Sequence, residues 1–89
     1  MANCRVTVVN PLGLHARAAA RFVSLASRFK SQITVTRDAR GVDGKSILGL
    51  LLLAAARGAE LEIAATGADE AEALIALCGL IERGFEDEA

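Results

Sequence analysis

Aromatic side chains are scarce in this chain of 89 residues, which contains three phenylalanines and neither tryptophan nor tyrosine. Proteins that bind single-stranded nucleic acid stack the bases on aromatic rings, so the scarcity argues against a nucleic-acid partner. The core must instead be built from aliphatic side chains, and a hydrophobic fraction of 53% supplies enough of them. This composition excludes disorder and predicts a folded domain.

Metal ligands and long hydrophobic runs are scarce as well. The chain has one histidine and two cysteines, Cys4 and Cys78, whose spacing matches no ordinary metal site. The longest apolar run, residues 47–56, is well short of the roughly 20 residues that cross a membrane. Residues 4–8 alternate between polar and apolar, unlike a secretory signal. We therefore expect a soluble cytoplasmic protein whose cysteines are reduced core residues, with no metal, cofactor or membrane insertion.

Charge is divided unevenly along the chain, although the formal net charge is only −1. Residues 1–57 hold nine lysines and arginines against two acids, whereas residues 58–89 hold one arginine against nine acids. Two interpretations are open at this point. The fold could simply place the two signs on different faces, or the basic part could meet an acidic partner or a phosphate group.

The hydrophobic pattern predicts four strands and three helices in the order βαββαβα. Alternating apolar residues predict strands over residues 4–8, 32–37, around Val42 and 60–65. Helical spacing of apolar residues predicts helices over residues 16–28, 47–57 and 70–83. There are too few long connections for an all-parallel sheet. We therefore expect an α+β open-faced sandwich of two layers, in which three helices cover one side of a mainly antiparallel sheet.

Capping and turn residues mark the ends of these elements. Ser46 and Asp69 are placed to cap the second and third helices, and Gly58 is placed to end the second. Turn chemistry between the second and third strands predicts a hairpin. We expect a single domain over residues 1–89, with a frayed acidic tail at about 85–89.

The only histidine, His15, stands directly before the first predicted helix, and Arg17 follows it closely. Free N–H groups at a helix N-terminus attract an anion, and the guanidinium adds a fixed positive charge. A neutral imidazole nitrogen at such a place can accept a phosphoryl group from one donor and release it to another. The alternative is that His15 only caps the helix.

Two segments of the chain resemble the two signatures of the HPr family, the phosphocarriers of the bacterial phosphoenolpyruvate-dependent phosphotransferase system. They are LGLHAR at residues 12–17, followed by Ala19, Phe22 and Val23, and GKSILGLL at residues 44–51. The length, the predicted βαββαβα order and GADEA at residues 67–71 agree with the family as well. The resemblance therefore extends over essentially the whole chain.

The resemblance implies that His15 is phosphorylated on Nδ1 by the first enzyme of the system, which takes the group from phosphoenolpyruvate. His15 would then pass the group to the IIA domain of a sugar permease or to a regulatory IIA-like protein, while Arg17 holds and releases the phosphoryl oxygens. The protein would be a monomeric carrier and not an enzyme in its own right. The ending GFEDE at residues 84–88 suggests the nitrogen-related branch, and the sugar branch stays open.

One residue departs from the family pattern, because Ala18 stands where the family usually has a proline directly after the arginine. Proline there would fix φ and remove an N–H that has no partner within the helix. Alanine restores this donor, so we expect altered transfer rather than an inactive site. The alternative is a regulatory domain of the same fold that binds kinases or transcription factors and transfers no phosphoryl group.

Ser46 is expected to cap the second helix, and in this family the same serine can be a regulatory phosphorylation site for a dedicated serine kinase and phosphatase. A phosphate there would add about two negative charges beside the docking surface and repel acidic partners. The GKS sequence at residues 44–46 could also suggest a nucleotide-binding P-loop. That motif needs a glycine at position 39, which is Ala39 here, so we reject it.

The second predicted helix is more apolar than one buried face requires. We expect part of it to be exposed and to dock partner proteins, since an exposed apolar patch beside a charged site is typical of protein interfaces. The predicted docking residues are Arg21, Ile47, Leu48 and Leu51.

Overall fold

Four strands and three helices alternate in the computed structural model of the chain, which describes residues 1–86. The elements are β1 (Ala2–Thr7), α1 (Ala16–Ala26), β2 (Gln32–Arg37), β3 (Arg40–Asp43), α2 (Ile47–Leu52), β4 (Glu60–Thr66) and α3 (Glu70–Glu82). A short 3-10 turn, Gly84–Glu86, follows α3. The predicted βαββαβα order is therefore confirmed.

The four strands form one sheet in the order β1-β4-β2-β3, and every neighbouring pair is antiparallel. The register places Cys4 opposite Ile63, and Val35 opposite both Ile63 and Val42. Because side chains alternate between faces along a strand, these four residues share the face that the helices cover. The α+β open-faced sandwich predicted from the sequence is confirmed.

Aliphatic side chains fill the space between the sheet and the helices. α3 packs on β1 and β4, while α1 packs against α2 and α3. Phe22 of α1 and Phe85 of the C-terminal turn are fully enclosed by the core, as are Ile63 and Leu77. Two of the three phenylalanines thus stabilise the interior and offer no ring for a ligand to stack on.

The second helix is shorter than predicted, because α2 ends at Leu52 and not near residue 57. Ala54 has a φ of 50°, which turns the chain away from the helical path. Arginines from the β2–β3 hairpin bind the last carbonyl oxygens: Arg37 Nη1 lies 3.0 Å from the Leu53 oxygen, and Arg40 Nη1 lies 3.2 Å from the Leu52 oxygen. These contacts satisfy groups that another helical turn would otherwise bind.

Asp69 occupies the N-cap position of α3, but its side chain does not cap the helix. Its carboxylate instead accepts hydrogen bonds from the Lys30 N–H, the Ser31 N–H and the Ser31 hydroxyl, at 2.8, 3.0 and 2.5 Å. The hydroxyl bond from Ser31, followed by the Lys30 N–H, lowers the pKa of Asp69. The prediction that the Asp69 side chain caps α3 is therefore wrong, because its carboxylate binds the residues just before β2 instead.

The C-terminal turn also differs from the predicted frayed tail. Phe85 is completely buried, so residue 85 belongs to the core, and only Glu86 of the described part of the predicted tail is exposed. The remainder of that tail, Asp87 to Ala89, lies outside the described residues.

Cys4 of β1 and Cys78 of α3 form a disulfide in the structure. The expectation of separate reduced thiols is therefore wrong for this structure. The two residues are 74 positions apart along the chain, and they meet because α3 packs across β1. Both are only half-buried and lie against the edge of the core.

Within residues 1–86, no helix combines the length and the apolar composition needed to cross a membrane.

Candidate functional site

His15 is the N-cap residue of α1, with extended backbone angles of φ −86° and ψ 179°. Its Nδ1 accepts a hydrogen bond from the backbone N–H of Arg17 at 3.3 Å. This bond places the Nδ1 lone pair at the N-terminal end of the helix and leaves the ring proton of a neutral imidazole on Nε2. The side chain is half-exposed. Capping and a chemical role use the same nitrogen, so the bond from the Arg17 N–H must break when Nδ1 reacts.

The loop before His15 is held in place by short contacts. Asn10 Nδ2 donates to the Gly13 carbonyl oxygen at 2.8 Å, and the Leu14 N–H donates to the Ala55 carbonyl oxygen at 2.8 Å. Gly13 has a φ of +67°, and a Cβ added there would lie 2.6 Å from the Ala55 oxygen. Only glycine fits this position, because both the backbone conformation and the close approach exclude a side chain.

The electrostatics of this end of α1 favour an anion. The first turn of α1 contains no acidic residue, so none of its own side chains offsets the positive end of the helix dipole. Arg17 is exposed beside His15 in the same turn. The N–H groups of the first turn have no carbonyl partner within the helix, and an anion that arrives there can accept from them.

Ala18 is the third residue of α1, and its methyl group is fully buried. Alanine therefore contributes to the core as well as to the first turn. Its N–H is one of the groups that a proline would lack at this position.

Arg21, one turn further along α1, has a task that the sequence pattern did not reveal. Its Nη1 donates to the carbonyl oxygens of Phe85 and Glu86, at 3.0 and 2.7 Å. Arg21 thereby fastens the C-terminal turn to α1. No local sequence pattern predicts these contacts, because Phe85 and Glu86 lie 64 and 65 residues from Arg21 along the chain.

Ser46 caps α2, as predicted from the sequence. Its Oγ accepts a hydrogen bond from the Gly49 N–H at 3.0 Å, and its backbone is extended. The side chain is half-exposed. A serine hydroxyl in this arrangement stabilises the helix by about 1 kcal/mol relative to alanine.

The exposed side of α2 differs in part from the predicted docking residues. Leu48 is 76% exposed and Ile47 is 41% exposed. Leu51, however, is half-buried and packs against the core, whereas Leu52, which was not among the predicted docking residues, is 66% exposed. Because α2 ends early, its last residues are placed by the hairpin arginines and not by a continuing helix.

Among residues 1–86, no group of three or more histidine, cysteine, aspartate or glutamate side chains is arranged to hold a metal ion. The groups next to His15 at the start of α1 are backbone N–H groups and the Arg17 guanidinium.

Comparison with known proteins shows close relatives over nearly the whole chain. Residues 2–83 match the family model described as "PTS HPr component phosphorylation site". The phosphocarrier protein HPr of Neisseria meningitidis serogroup A is 51% identical over 80 residues, which cover 90% of each chain.

Solved structures are similar as well. The crystal structure of HPr-C-His from Thermoanaerobacter tengcongensis has a TM-score of 0.94 and 44% identity, with all of both chains covered. A crystal structure of an HPr dimer from the same organism has a TM-score of 0.78 and covers 98% of this chain and all of that one.

Proposed function

The chain belongs to the HPr family of phosphocarrier proteins of the phosphotransferase system, and from that membership we propose that His15 accepts a phosphoryl group and passes it to a second protein. The observation that supports this most directly is the bond from the Arg17 N–H to His15 Nδ1 at the N-terminus of α1. It holds Nδ1 at the point where an anion is most favoured.

The transfer step follows from this geometry. The Nδ1 lone pair forms a new N–P bond while the bond between the phosphoryl group and its donor breaks. Nδ1 then no longer accepts from Arg17, and the released N–H can donate to a phosphoryl oxygen instead. The helix dipole and the Arg17 guanidinium stabilise the added negative charge. The same contacts can be undone when an acceptor attacks, which suits a carrier.

Family membership supports a choice of donor and acceptor. We propose that the first enzyme of the phosphotransferase system, loaded from phosphoenolpyruvate, phosphorylates His15 in the cytoplasm. The phosphoryl group then passes to a IIA domain or a IIA-like regulator, in either the sugar or the nitrogen branch. The protein would act as a monomer in this exchange.

We assign partner docking to the surface formed by His15, Arg17, Ile47 and Leu48, which we name the docking face. The exposed side chains of Ile47 and Leu48 support this assignment, since they supply apolar contact area that the core does not use. Arg17 is exposed too and favours an acidic partner. Arg21 and Leu51 would contribute less, because one holds the C-terminal turn and the other packs against the core.

Regulation at Ser46 is a further part of the proposal. The serine is half-exposed at the start of α2, next to Ile47 of the docking face. A phosphate transferred to Oγ by a serine kinase would add about two negative charges there and repel an acidic partner.

The test is phosphorylation of the purified full chain by phosphoenolpyruvate and the cognate first enzyme, read by intact-mass spectrometry. We expect one added phosphoryl group that is labile in acid and stable in base. His15→Asn is the matched variant, because asparagine can still cap α1 but cannot form the phosphohistidine. We expect no addition to this variant and an unchanged fold by circular dichroism. A folded wild-type chain that accepts no phosphoryl group would instead identify a regulatory domain without transfer activity.

A further inference from the structure

A pair of sulfur atoms lies where β1 meets α3. Cys4 lies in the middle of β1 on the covered side of the sheet, and Cys78 lies on α3, which crosses that strand. The disulfide joins two segments 74 positions apart, so it encloses most of the chain in one covalent loop. A cross-link over so long a loop restricts the unfolded chain strongly and thereby stabilises the fold.

The position of the pair allows chemical exchange. Both side chains are half-buried at the edge of the core, so small thiols and disulfides in solution can approach them. The Cα atoms of the two residues are 7.3 Å apart, beyond the roughly 4.4–6.8 Å that disulfides usually span. At this separation, forming and breaking the bond requires a small backbone movement.

Both joined elements lead to the loop that positions His15. β1 continues directly into residues 8–14, where Asn10 is buried and bonds to the Gly13 carbonyl oxygen. α3 continues into the C-terminal turn, where a Cβ added to Gly84 would lie 3.3 Å from Cβ of Asn10. The cross-link thus connects the two segments that support this loop from either side.

We propose that Cys4 and Cys78 form a reversible, redox-sensitive cross-link that fastens the edge strand β1 to α3. Intracellular disulfides of this kind are usually transient and respond to the thiol balance. On oxidation the two thiols release two protons, and their two electrons reduce a small-molecule disulfide such as oxidised glutathione to two thiols. The reaction passes through a mixed disulfide on one cysteine, which the other thiolate attacks.

The experiment uses the full chain, first reduced and then equilibrated in buffers of oxidised and reduced glutathione. Free thiols are trapped with N-ethylmaleimide and counted by intact-mass spectrometry, and thermal unfolding is measured on the same samples. We expect an intrachain disulfide in oxidising buffer and a rise in Tm of roughly 10 °C or more, reversed by reduction. Cys4→Ser and Cys78→Ser should each abolish the redox dependence of Tm, with Cys78→Ala as a second variant that keeps an apolar side chain.

Three results would overturn the proposal: glutathione adducts without an intrachain bond, disulfides only between two copies of the chain, or equal Tm values for the oxidised and reduced forms. Phosphorylation of His15 is measured separately on the same samples. Failure of the carrier function would leave the cysteine result unaffected, and the reverse holds as well.

Discussion

The N-termini of α1 and α3 are opposites in the same small fold. The first turn of α1 holds no acid, and its cap is an imidazole that accepts one N–H. The first turn of α3 holds Glu70 and Glu72, and Asp69 precedes it. Since carboxylates stabilise the positive end of a helix, α3 already carries the anions that its dipole favours, whereas α1 does not.

This difference shows how one type of structural element serves two purposes. Asp69 and Glu70 are engaged in internal bonds: Asp69 binds Lys30 and Ser31, and Glu70 accepts from the Gly67 N–H at 3.1 Å. The end of α3 is therefore a structural junction. The first turn of α1 has no acid of its own to offset its positive field, and we propose that the anion it attracts is the phosphoryl group.

The largest effect is expected from placing a charge on the docking face. Leu48 and Ile75 are both 76% exposed, but Leu48 lies on α2 and Ile75 lies on α3. We expect Leu48→Asp to raise the KM for phosphorylation by the first enzyme about tenfold or more, because a lost apolar contact and a repelling charge act together. Steady-state phosphorylation kinetics measure this change.

Ile75→Asp is the matched control for this variant. It introduces the same charge at an equally exposed position, and we expect its KM to stay within about twofold of wild type, since exposed surface changes away from an interface have little effect. Equal effects of the two substitutions would contradict a docking role specific to α2.

A smaller effect is expected from a charge at the cap of α2. Ser46→Asp can still accept from the Gly49 N–H, so the helix stays capped while a negative charge is added. We expect phosphorylation by the first enzyme to slow several-fold at low ionic strength and to recover in part with added salt. Ser46→Asn keeps the cap without the charge and should react at the wild-type rate; a slow asparagine variant would show that shape and not charge is responsible.

At the N-terminus of α3, a substitution of Asp69 should lower the stability of the fold and leave phosphoryl transfer unchanged. Its pKa is lowered by the Ser31 hydroxyl and the Lys30 N–H, so the carboxylate is more acidic in the folded than in the unfolded chain. A lowered folded pKa stabilises the protein above the unfolded pKa, and the contribution is lost as the pH falls through the folded value.

We therefore expect Asp69→Asn to reduce Tm at pH 7, with a difference from wild type that shrinks as the pH falls below the ordinary pKa of an aspartate. Thermal unfolding as a function of pH measures it. Glu70 has a pKa lowered mainly by the Gly67 N–H, so some acid sensitivity will persist in the variant. The combined Asp69→Asn and Glu70→Gln variant should lose more of it, and an unchanged pH profile in that variant would contradict the assignment.

Local patterns were sufficient to predict the elements and two of the three caps. Alternation identified β2 with the correct bounds, and the position of His15 before an apolar helix predicted a site at the start of α1. Both inferences depend on residues that are close together in the sequence. Family resemblance, carried by the segments around His15 and Ser46, supplied the phosphoryl chemistry, and the family is confirmed.

Contacts between distant segments account for what could not be predicted. α2 ends early because Arg37 and Arg40 bind its last carbonyl oxygens. The Asp69 carboxylate does not cap α3, because it accepts a hydrogen bond from Ser31. The Cys4–Cys78 disulfide likewise depends on how α3 crosses β1. Sequence periodicity does not predict such contacts, since each depends on how distant segments pack together in three dimensions.

The smallest effect is expected from Ala18→Pro, which restores the residue usual in the family. In the unphosphorylated protein we expect a gain of about 0.5 kcal/mol if the ring fits, because proline restricts the unfolded chain and this first-turn N–H has no helical partner. The fully buried Ala18 methyl sets the limit, since the ring must pack in the same space.

In the phosphorylated protein the variant lacks one N–H donor, so we expect phosphohistidine to hydrolyse up to a few-fold faster. The half-life of the purified phosphoprotein, measured by mass spectrometry, gives the difference. Identical half-lives would show that the Ala18 N–H does not reach the phosphoryl oxygens and that Arg17 and its backbone N–H provide the contacts at this end of α1.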